Sequence, residues 1–290
     1  MSDRFVVTGA HGCVGAWVVA ELVREGTEVM ALDVGAGRGR TELLLDDEQL
    51  ALVDFVQADI TESLSFQGAT HVVHLAALQY PYCREDHAAG ARVNVVGTVN
   101  VFDAAFEAGA KLVYASSIAA LAHESLYGTW KRANEGSAAA YWAEDRFPSI
   151  GVRAALVYGV GRDRGITASM TLAMQAAARG EPFHIVHGGS SPLNHAADLA
   201  QIFVRAARSV STEAKVYDAG GFEHHMADVV TAIEAAAPDA QITFEDAPFA
   251  ATPPSFDGTP LEEALGGVEW RPLEQGVRDT VDLFRRLERA

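Results

Sequence analysis

Residues 5–15 read FVVTGAHGCVG, an apolar run that breaks into Gly9, Gly12 and Gly15 and continues into the helix-periodic stretch Val14–Arg24. A strand feeding a helix through glycines at this spacing opens a βαβ unit built to hold a dinucleotide. Gly9 allows the tight turn, Gly12 lets the backbone approach a pyrophosphate, and Gly15 lets the helix pack close to the sheet. His11, Cys13 and Val14, set between the glycines, belong to the same expected cofactor-binding loop. The helix start then offers free N–H groups and a positive dipole end to the phosphates.

The chain that follows alternates in kind. Short strand-like runs at Phe5–Thr8, Glu28–Leu32, Val53–Gln57, His71–Leu75, Lys111–Ala115 and Ile150–Val157 are separated by helical stretches such as Val14–Arg24, His87–Ala108 and Tyr127–Arg146. That alternation predicts an α/β protein of the Rossmann type, a doubly wound parallel sheet covered by helices on both faces. After residue 158 the pattern loosens, with helices expected at Thr167–Ala178, Ala196–Ser209, Met226–Ala237 and Leu273–Leu287. Strands are expected at Phe183–Val186, Lys215–Asp218 and Gln241–Phe244, and Pro248–Pro260 reads as a loop. We therefore expect a cofactor-binding domain over 1–158 and a small substrate lobe over 159–290, with some elements returning to the first domain.

An anionic cofactor has to be reconciled with the charge of the chain. It has 22 Lys and Arg against 39 Asp and Glu, a net charge of −17 over 290 residues. Such acidity excludes a nucleic-acid or anionic-membrane partner, which needs clustered cations. Backbone dipoles at a helix N-terminus remove the conflict, because they bind phosphate without basic side chains. The two cysteines, Cys13 and Cys83, make no disulfide framework, and a reducing cytoplasmic setting is expected. The opening MSDRFVVTGA lacks a leader pattern, and no apolar run reaches the ~20 residues of a membrane helix.

The second strand ends at Leu32 and is followed by Asp33, 18 residues after Gly15. A carboxylate there accepts hydrogen bonds from the adenosine ribose and repels a 2′-phosphate, so NAD is expected over NADP. Arg38 and Arg40 nearby read as solvated loop charges, and Cys13 as a small packing residue.

A second constellation carries chemistry. The strand Lys111–Ser117, KLVYASS, ends in two serines, and Tyr127 and Lys131 follow at i, i+4 on one helical face. A free phenol, with a pKa of about 10, is a poor base at neutral pH. A nearby ammonium and an oxidised nicotinamide would favour the phenolate, which can then exchange a proton with a substrate hydroxyl. A serine at the strand end can hold the same oxygen.

With these residues in place the chain resembles the extended short-chain dehydrogenase/reductase family, the NAD-dependent epimerase/dehydratase group, over nearly its whole length. TGAHGCVG matches the glycine motif, Asp59-Ile60 the adenine-holding pair, and His74-Leu75-Ala76-Ala77 a cofactor-lining strand end. Asn94-Val-Val-Gly97-Thr98 matches a helix motif whose Asn supports the active site. The resemblance makes Ser117 the catalytic serine, with Tyr127 and Lys131 the catalytic pair. Arg153–Gly159 matches the sixth-strand motif, which puts Ala155 at the cofactor. His195–Asp198, Trp270–Pro272 and Gly276–Arg278 match the C-terminal lobe.

The chain departs from the family pattern at three places. Leu156 stands where nucleotide-sugar members carry Asn, Ser191 where they carry a diphosphate-binding Arg, and Ser117 precedes Tyr127 by only 10 residues. On these grounds the first expectation is an NAD-dependent oxidoreductase interconverting hydroxyl and carbonyl on a small substrate: a sugar, sugar acid or lactone. The alternative is an NAD-retaining epimerase or dehydratase of a sugar or nucleotide sugar, and a third reading is a non-catalytic NAD sensor. Substrate candidates are Tyr80, Ser117, Tyr158, Arg162, Arg164, Thr167 and His195. The ten histidines show no metal-ligand spacing, so no metal is expected. The family resemblance also implies a homodimer through the long helices, with Val93, Val96, Val101, Ala104 and Ala105 as apolar positions that would serve either that contact or the sheet.

Overall fold

The computed structural model describes residues 3–122, 125–209, 211–248, 253 and 255–289. Its first half runs β1 (Arg4–Thr8), α1 (Cys13–Arg24), β2 (Glu28–Asp33), α2 (Asp47–Leu50), β3 (Val53–Gln57), β4 (His71–His74), α3 (Tyr80–Glu85), α4 (His87–Ala91), α5 (Gly97–Ala108), β5 (Lys111–Ser117), α6 (Leu126–Asp145), β6 (Ser149–Ala154) and β7 (Leu156–Tyr158). The second half runs α7 (Ser169–Arg179), β8 (Phe183–Ile185), β9 (Ser190–His195), α8 (Ala196–Arg208), β10 (Ala214–Asp218), β11 (Glu223–His225), α9 (Met226–Ala236), β12 (Ile242–Phe244), α10 (Thr259–Leu265) and α11 (Leu273–Leu287).

Seven strands form one parallel sheet in the order β10-β6-β5-β4-β1-β2-β3. The order reverses between β1 and β4, where open α/β sheets bind ligands beyond their strand ends. Helices α1 and α8 pack together on one face, and α5 and α6 cover the other. Central strands buried on both faces must be apolar throughout, and Val6, Val7, Val72, Val73 and Val113 are all inaccessible or nearly so. The second half supplies β10 and α8 to this assembly. It also forms a separate core, in which α7, α9 and α11 pack around Met170, Met174, Val229, Ile233 and Val277. Two small sheets flank that core: β11-β9-β7 and β12-β8.

Strand β4 carries two histidines into the core, and both are absorbed by hydrogen bonds. His71 stacks on Phe5 with ring centres 4.5 Å apart. His74 bridges Thr8 (2.7 Å) and Thr98 (3.0 Å), and burial pushes its pKa down to about 3, so it is a neutral hydrogen-bonding link between β1, β4 and α5.

Three local expectations change. The helix expected over His87–Ala108 is interrupted by a π-helical turn at Arg92–Val96. The sixth strand breaks at Ala155, whose N–H turns to the Asn194 side chain (2.9 Å) instead of continuing the ladder. Within Pro248–Pro260, residues 249–252 and 254 lie outside the described set, and α10 begins at Thr259 with Pro260 in its first turn. Of the apolar positions on α5, Val101, Ala104 and Ala105 are buried in the core, as sheet packing requires. Val96 stays 49% exposed.

Candidate active site

The glycine loop is held at backbone contact with the end of β4. Gly9 adopts φ +70°, and a Cβ there would lie 2.5 Å from the Ala76 nitrogen. A Cβ on Gly15 would meet the Gly9 carbonyl at 2.2 Å. Both positions therefore demand glycine, one for its dihedral and one for helix approach. Helix α1 starts after Gly12 with no side-chain cap, which leaves its first N–H groups for a ligand. Asp33, at the end of β2, receives the His11 N–H (3.0 Å) and the Gly35 N–H (3.1 Å), which fixes the carboxylate at the loop's edge. A glycine cradle and an uncapped helix start fit the pyrophosphate of an adenine dinucleotide, and an acidic residue beside them fits its adenosine ribose.

The remaining cofactor candidates divide. Leu75, Ala76 and Ala77 are partly exposed along the end of β4, as a groove wall requires. Asp59 is exposed and accepts the Thr61 N–H. Ile60 differs from expectation: it is 5% exposed, and Gly97 of α5 sits directly on it, so its side chain is core. Val14 packs at the edge of the first core. The Cys13 thiol points to the Val160 carbonyl (3.8 Å), and burial pushes its pKa up to about 12, which makes it an inert packing group.

Across the groove, α6 presents Tyr127 and Lys131. Ser125 caps the helix by accepting the Gly128 N–H (3.1 Å), so Tyr127 falls in the first turn. Gly128 has no room for a side chain, because a Cβ would meet the Ala119 carbonyl at 2.2 Å. That contact seats α6 against the turn leaving β5 and brings Ser117 to Tyr127. The Ser117 hydroxyl faces the phenol closely enough to draw its pKa down, and its oxygen also accepts the Ala119 N–H (3.2 Å). Lys131 is 4% exposed and donates to the Ala115 carbonyl (2.7 Å). Its ammonium lies 5.7 Å from the centre of the Tyr127 ring.

The electrostatics depart from expectation in one respect. Loss of water pushes the Tyr127 phenol up to about 12, and the cation that most opposes this is Arg162. Burial also lowers Lys131 to about 8, against the pull of Cys83 and Glu135. The phenol is therefore a proton donor in the protein alone.

Asn94 lies in the π-helical turn and is fully engaged. Its Oδ1 accepts the Leu78 N–H (3.0 Å), and its Nδ2 donates to the Leu78 carbonyl (2.9 Å) and faces Cys83 Sγ (3.3 Å). It clamps the loop after β4. The substrate candidates then separate. Tyr80, 39% exposed, opens α3 at the end of that loop. Arg162 reaches Gln79 (3.1 Å) and Thr167 (2.7 Å). Arg164 is exposed. Tyr158 is a correction: it is 2% exposed, its hydroxyl lies against Gly276, and its ring packs edge-on to His195, so it belongs to the second core. His195 is also buried. It caps α8 through the Ala197 N–H and contacts Trp17, Thr280 and Arg271, away from the Tyr127 group of contacts. Ala155 is held through Asn194, which also donates to the Gly220 carbonyl (2.9 Å).

Sequence reasoning missed three supports. Glu135, two helical turns beyond Tyr127, pairs bidentately with Arg153 (2.8 Å each) and accepts from Ser116 (2.5 Å). Arg153 continues to Asp218 (3.2 Å), so β6, β10 and α6 share one ionic node. The i, i+4 repeat from Tyr127 through Lys131 to Glu135 was a usable signal. Asn194 had no such signal. Arg40, read as a solvated charge, is instead bound to the His11 carbonyl and Asp163.

Comparison with known proteins fits this geometry. Residues 5–220 match the sequence profile of the NAD dependent epimerase/dehydratase family. The chain belongs to that family. UDP-glucose 4-epimerase of Mycolicibacterium smegmatis is 28% identical, over 97% of this chain and 98% of that one. A putative dihydroflavonol 4-reductase of Synechocystis is 35% identical over 47% of this chain, and the match spans only 38% of that protein. The crystal structure of Thermus thermophilus UDP-glucose 4-epimerase in complex with NAD superposes with a TM-score of 0.76 at 25% identity, over 97% of this chain and 99% of that one. This member of the NAD-dependent epimerase/dehydratase family thus resembles both epimerases and reductases, and the UDP-glucose 4-epimerases are matched end to end.

Proposed function

We propose that this chain is an NAD-retaining epimerase that inverts a hydroxyl-bearing carbon of a sugar or nucleotide sugar. The observation that carries the reading is the end-to-end similarity to UDP-glucose 4-epimerases, together with a facing Ser117, Tyr127 and Lys131. It displaces the expectation of a net dehydrogenase on a small substrate to second place.

The residues divide the chemistry as follows. NAD, when bound, takes up and returns the hydride. Tyr127 exchanges the proton of the reacting hydroxyl, accepting it as the carbonyl forms and returning it from the same site. Ser117 donates to that oxygen and holds it at the phenol. The Arg162 guanidinium, with the Lys131 ammonium 5.7 Å from the ring centre, supplies the positive charge that makes a phenolate tolerable in a partly dry site. Asn94 sets the loop carrying Gln79 and Tyr80, which walls the substrate side.

Leu156 and Ser191, the two departures from the nucleotide-sugar pattern, line one cleft together with His187 and His224. Their meeting is the specific observation that keeps a second reading, a reductase of a smaller substrate. Incubation with UDP-glucose separates the two. The epimerase reading requires UDP-galactose by NMR with no net change at the nicotinamide absorbance. Stoichiometric NADH accumulation would transfer the assignment to a dehydrogenase. We also propose a homodimer through α5 and α6, on which Phe106 and Leu126 are exposed, together with Val96 just before α5.

A further inference from the structure

Seven residues after β7, Gly-Val-Gly-Arg-Asp-Arg-Gly at 159–165, are tied to three separate elements around the glycine loop. The Val160 carbonyl accepts from Trp17 Nε1 (2.9 Å) and the Cys13 thiol, both on α1. Arg162 donates to Gln79, at the entry to α3. Asp163 receives a two-pronged hydrogen bond from Arg40, at 3.1 and 2.5 Å. Arg40 itself lies beyond β2 and donates its third hydrogen bond to the His11 carbonyl inside the glycine loop (2.7 Å).

The geometry of this segment is that of a crossing. Arg40 and Gln79 stand on opposite sides of the glycine loop, one after β2 and one after β4, and the segment joins them. It sits directly on the loop: a Cβ on Gly161 would lie 3.6 Å from Cys13 Cα and 3.1 Å from Arg40 Cδ. Gly159 and Gly165, at its two ends, have φ +121° and +85°, conformations that side chains disfavour and that suit a hinge.

One group within the crossing lacks an ionic partner. Among the described residues Arg162 faces no carboxylate, its Nε is buried without a hydrogen-bond partner, and its other contacts are the neutral Gln79 and Thr167. Its charge is felt by both Cys13 and Tyr127, which places it between the glycine loop and the phenol. A guanidinium held there by neutral partners is poised for an anion.

We propose that residues 159–165 form a strap over the dinucleotide, with Arg162 facing its pyrophosphate and the Arg40–Asp163 pair as the clasp. NAD then leaves only when the clasp opens, so one cofactor serves many turnovers. This rests on the NAD reading and extends it: an epimerase that returns its hydride has no need to exchange cofactor.

The test is the rate at which NAD leaves the loaded protein, followed by rapid gel filtration and chromatography of the bound nucleotide after dilution. Asp163→Asn and Arg40→Lys should each speed release about fivefold or more, and the double variant should release no faster than the faster single. Arg162→Met should weaken NAD binding at equilibrium by about tenfold, a readout that does not depend on turnover. Raised salt should speed release more from the wild type than from Asp163→Asn, because the half-exposed Asp163 leaves the clasp open to screening. Equal release rates in wild type and both clasp variants, with normal NAD affinity, would overturn the strap and leave the cofactor assignment standing. Absence of NAD binding by calorimetry would overturn both.

Discussion

The Lys131 ammonium stands 5.7 Å from the centre of the Tyr127 ring and is anchored to the Ala115 carbonyl at 2.7 Å. Strand β5 therefore holds the lysine, and the lysine holds a fixed charge beside the phenol. Because burial lowers its pKa to about 8, that charge is present at neutral pH and is lost as the pH rises through about 8. Turnover should fall on the alkaline side with an apparent pKa near that value. Lys131→Arg, which cannot lose its charge in this range, should flatten the limb even if its maximum is lower. A limb unchanged in Lys131→Arg would detach the pH dependence from Lys131.

Replacing Tyr127 with Phe removes the hydroxyl proposed to exchange the substrate proton and leaves the ring packing intact. Turnover should drop by about 10²- to 10⁴-fold, the usual weight of a positioned acid–base group. NAD affinity by calorimetry should stay within about twofold. An undiminished rate would refute the assignment.

Asp33 is held in place by two backbone N–H groups, from His11 and Gly35, and keeps lone pairs for a ribose. Arg40, one of the two arginines following β2, is committed to Asp163 and the His11 carbonyl. NAD should bind more tightly than NADP, and Asp33→Ala should narrow the gap by about tenfold as repulsion is relieved. Paired calorimetric titrations check this, and a wild type that prefers NADP would reverse the argument.

His74 and His195 are both buried, and each has its pKa pushed down to about 3. Unfolded, they take up protons near pH 6.5, so between about 6.5 and 3 the unfolded chain binds more protons than the folded one and stability falls as the pH falls. Each contributes about 1.4 kcal/mol per pH unit within that window. Urea unfolding at pH 6 and pH 5 should show His74→Gln losing less stability than wild type over that step, by about that amount.

Arg153 joins Glu135 and Asp218, which are 11% and 7% exposed at their side chains. Arg153→Met would leave two carboxylates stranded and should cost about 3 kcal/mol. Because Glu135 sits on the face of α6 that carries Lys131 and Tyr127, the same variant should slow turnover at temperatures well below unfolding.

Much of this was readable from the sequence where local rules act alone. The glycine spacing, the run of β-branched strands and the i, i+4 pair on α6 each follow from short-range geometry. The pairing register of β1 with β2 and β4 left those residues where the motif required. What escaped depends on neighbours far along the chain. Tyr158 looked like a strand-end residue facing substrate, but Gly276 on α11 closes over it from more than a hundred residues away. Arg40 looked solvated because nothing local neutralises it, and its partner is Asp163. Ile60 follows an exposed Asp59 yet is capped by Gly97, and no pattern in 53–60 announces that helix. The strands β9 and β11 are three to six residues long and pair through residues with little strand propensity, among them Pro192 and His224.

The π-helical turn at Arg92–Val96 admits one more residue into a helical turn than its neighbours do. One added residue advances the helical phase by about 100°. The stretch before the turn and the stretch after it are therefore indexed to different surfaces. Asn94, inside the turn, answers to the loop at Leu78, while Thr98, Val101 and Phe102 after it answer to the sheet. Deleting a single residue from 92–96 would restore uninterrupted α-helix and bring the two into a common phase. The helix could then satisfy either the loop or the sheet, and the wall of the active site would be lost with no change to any residue that touches substrate.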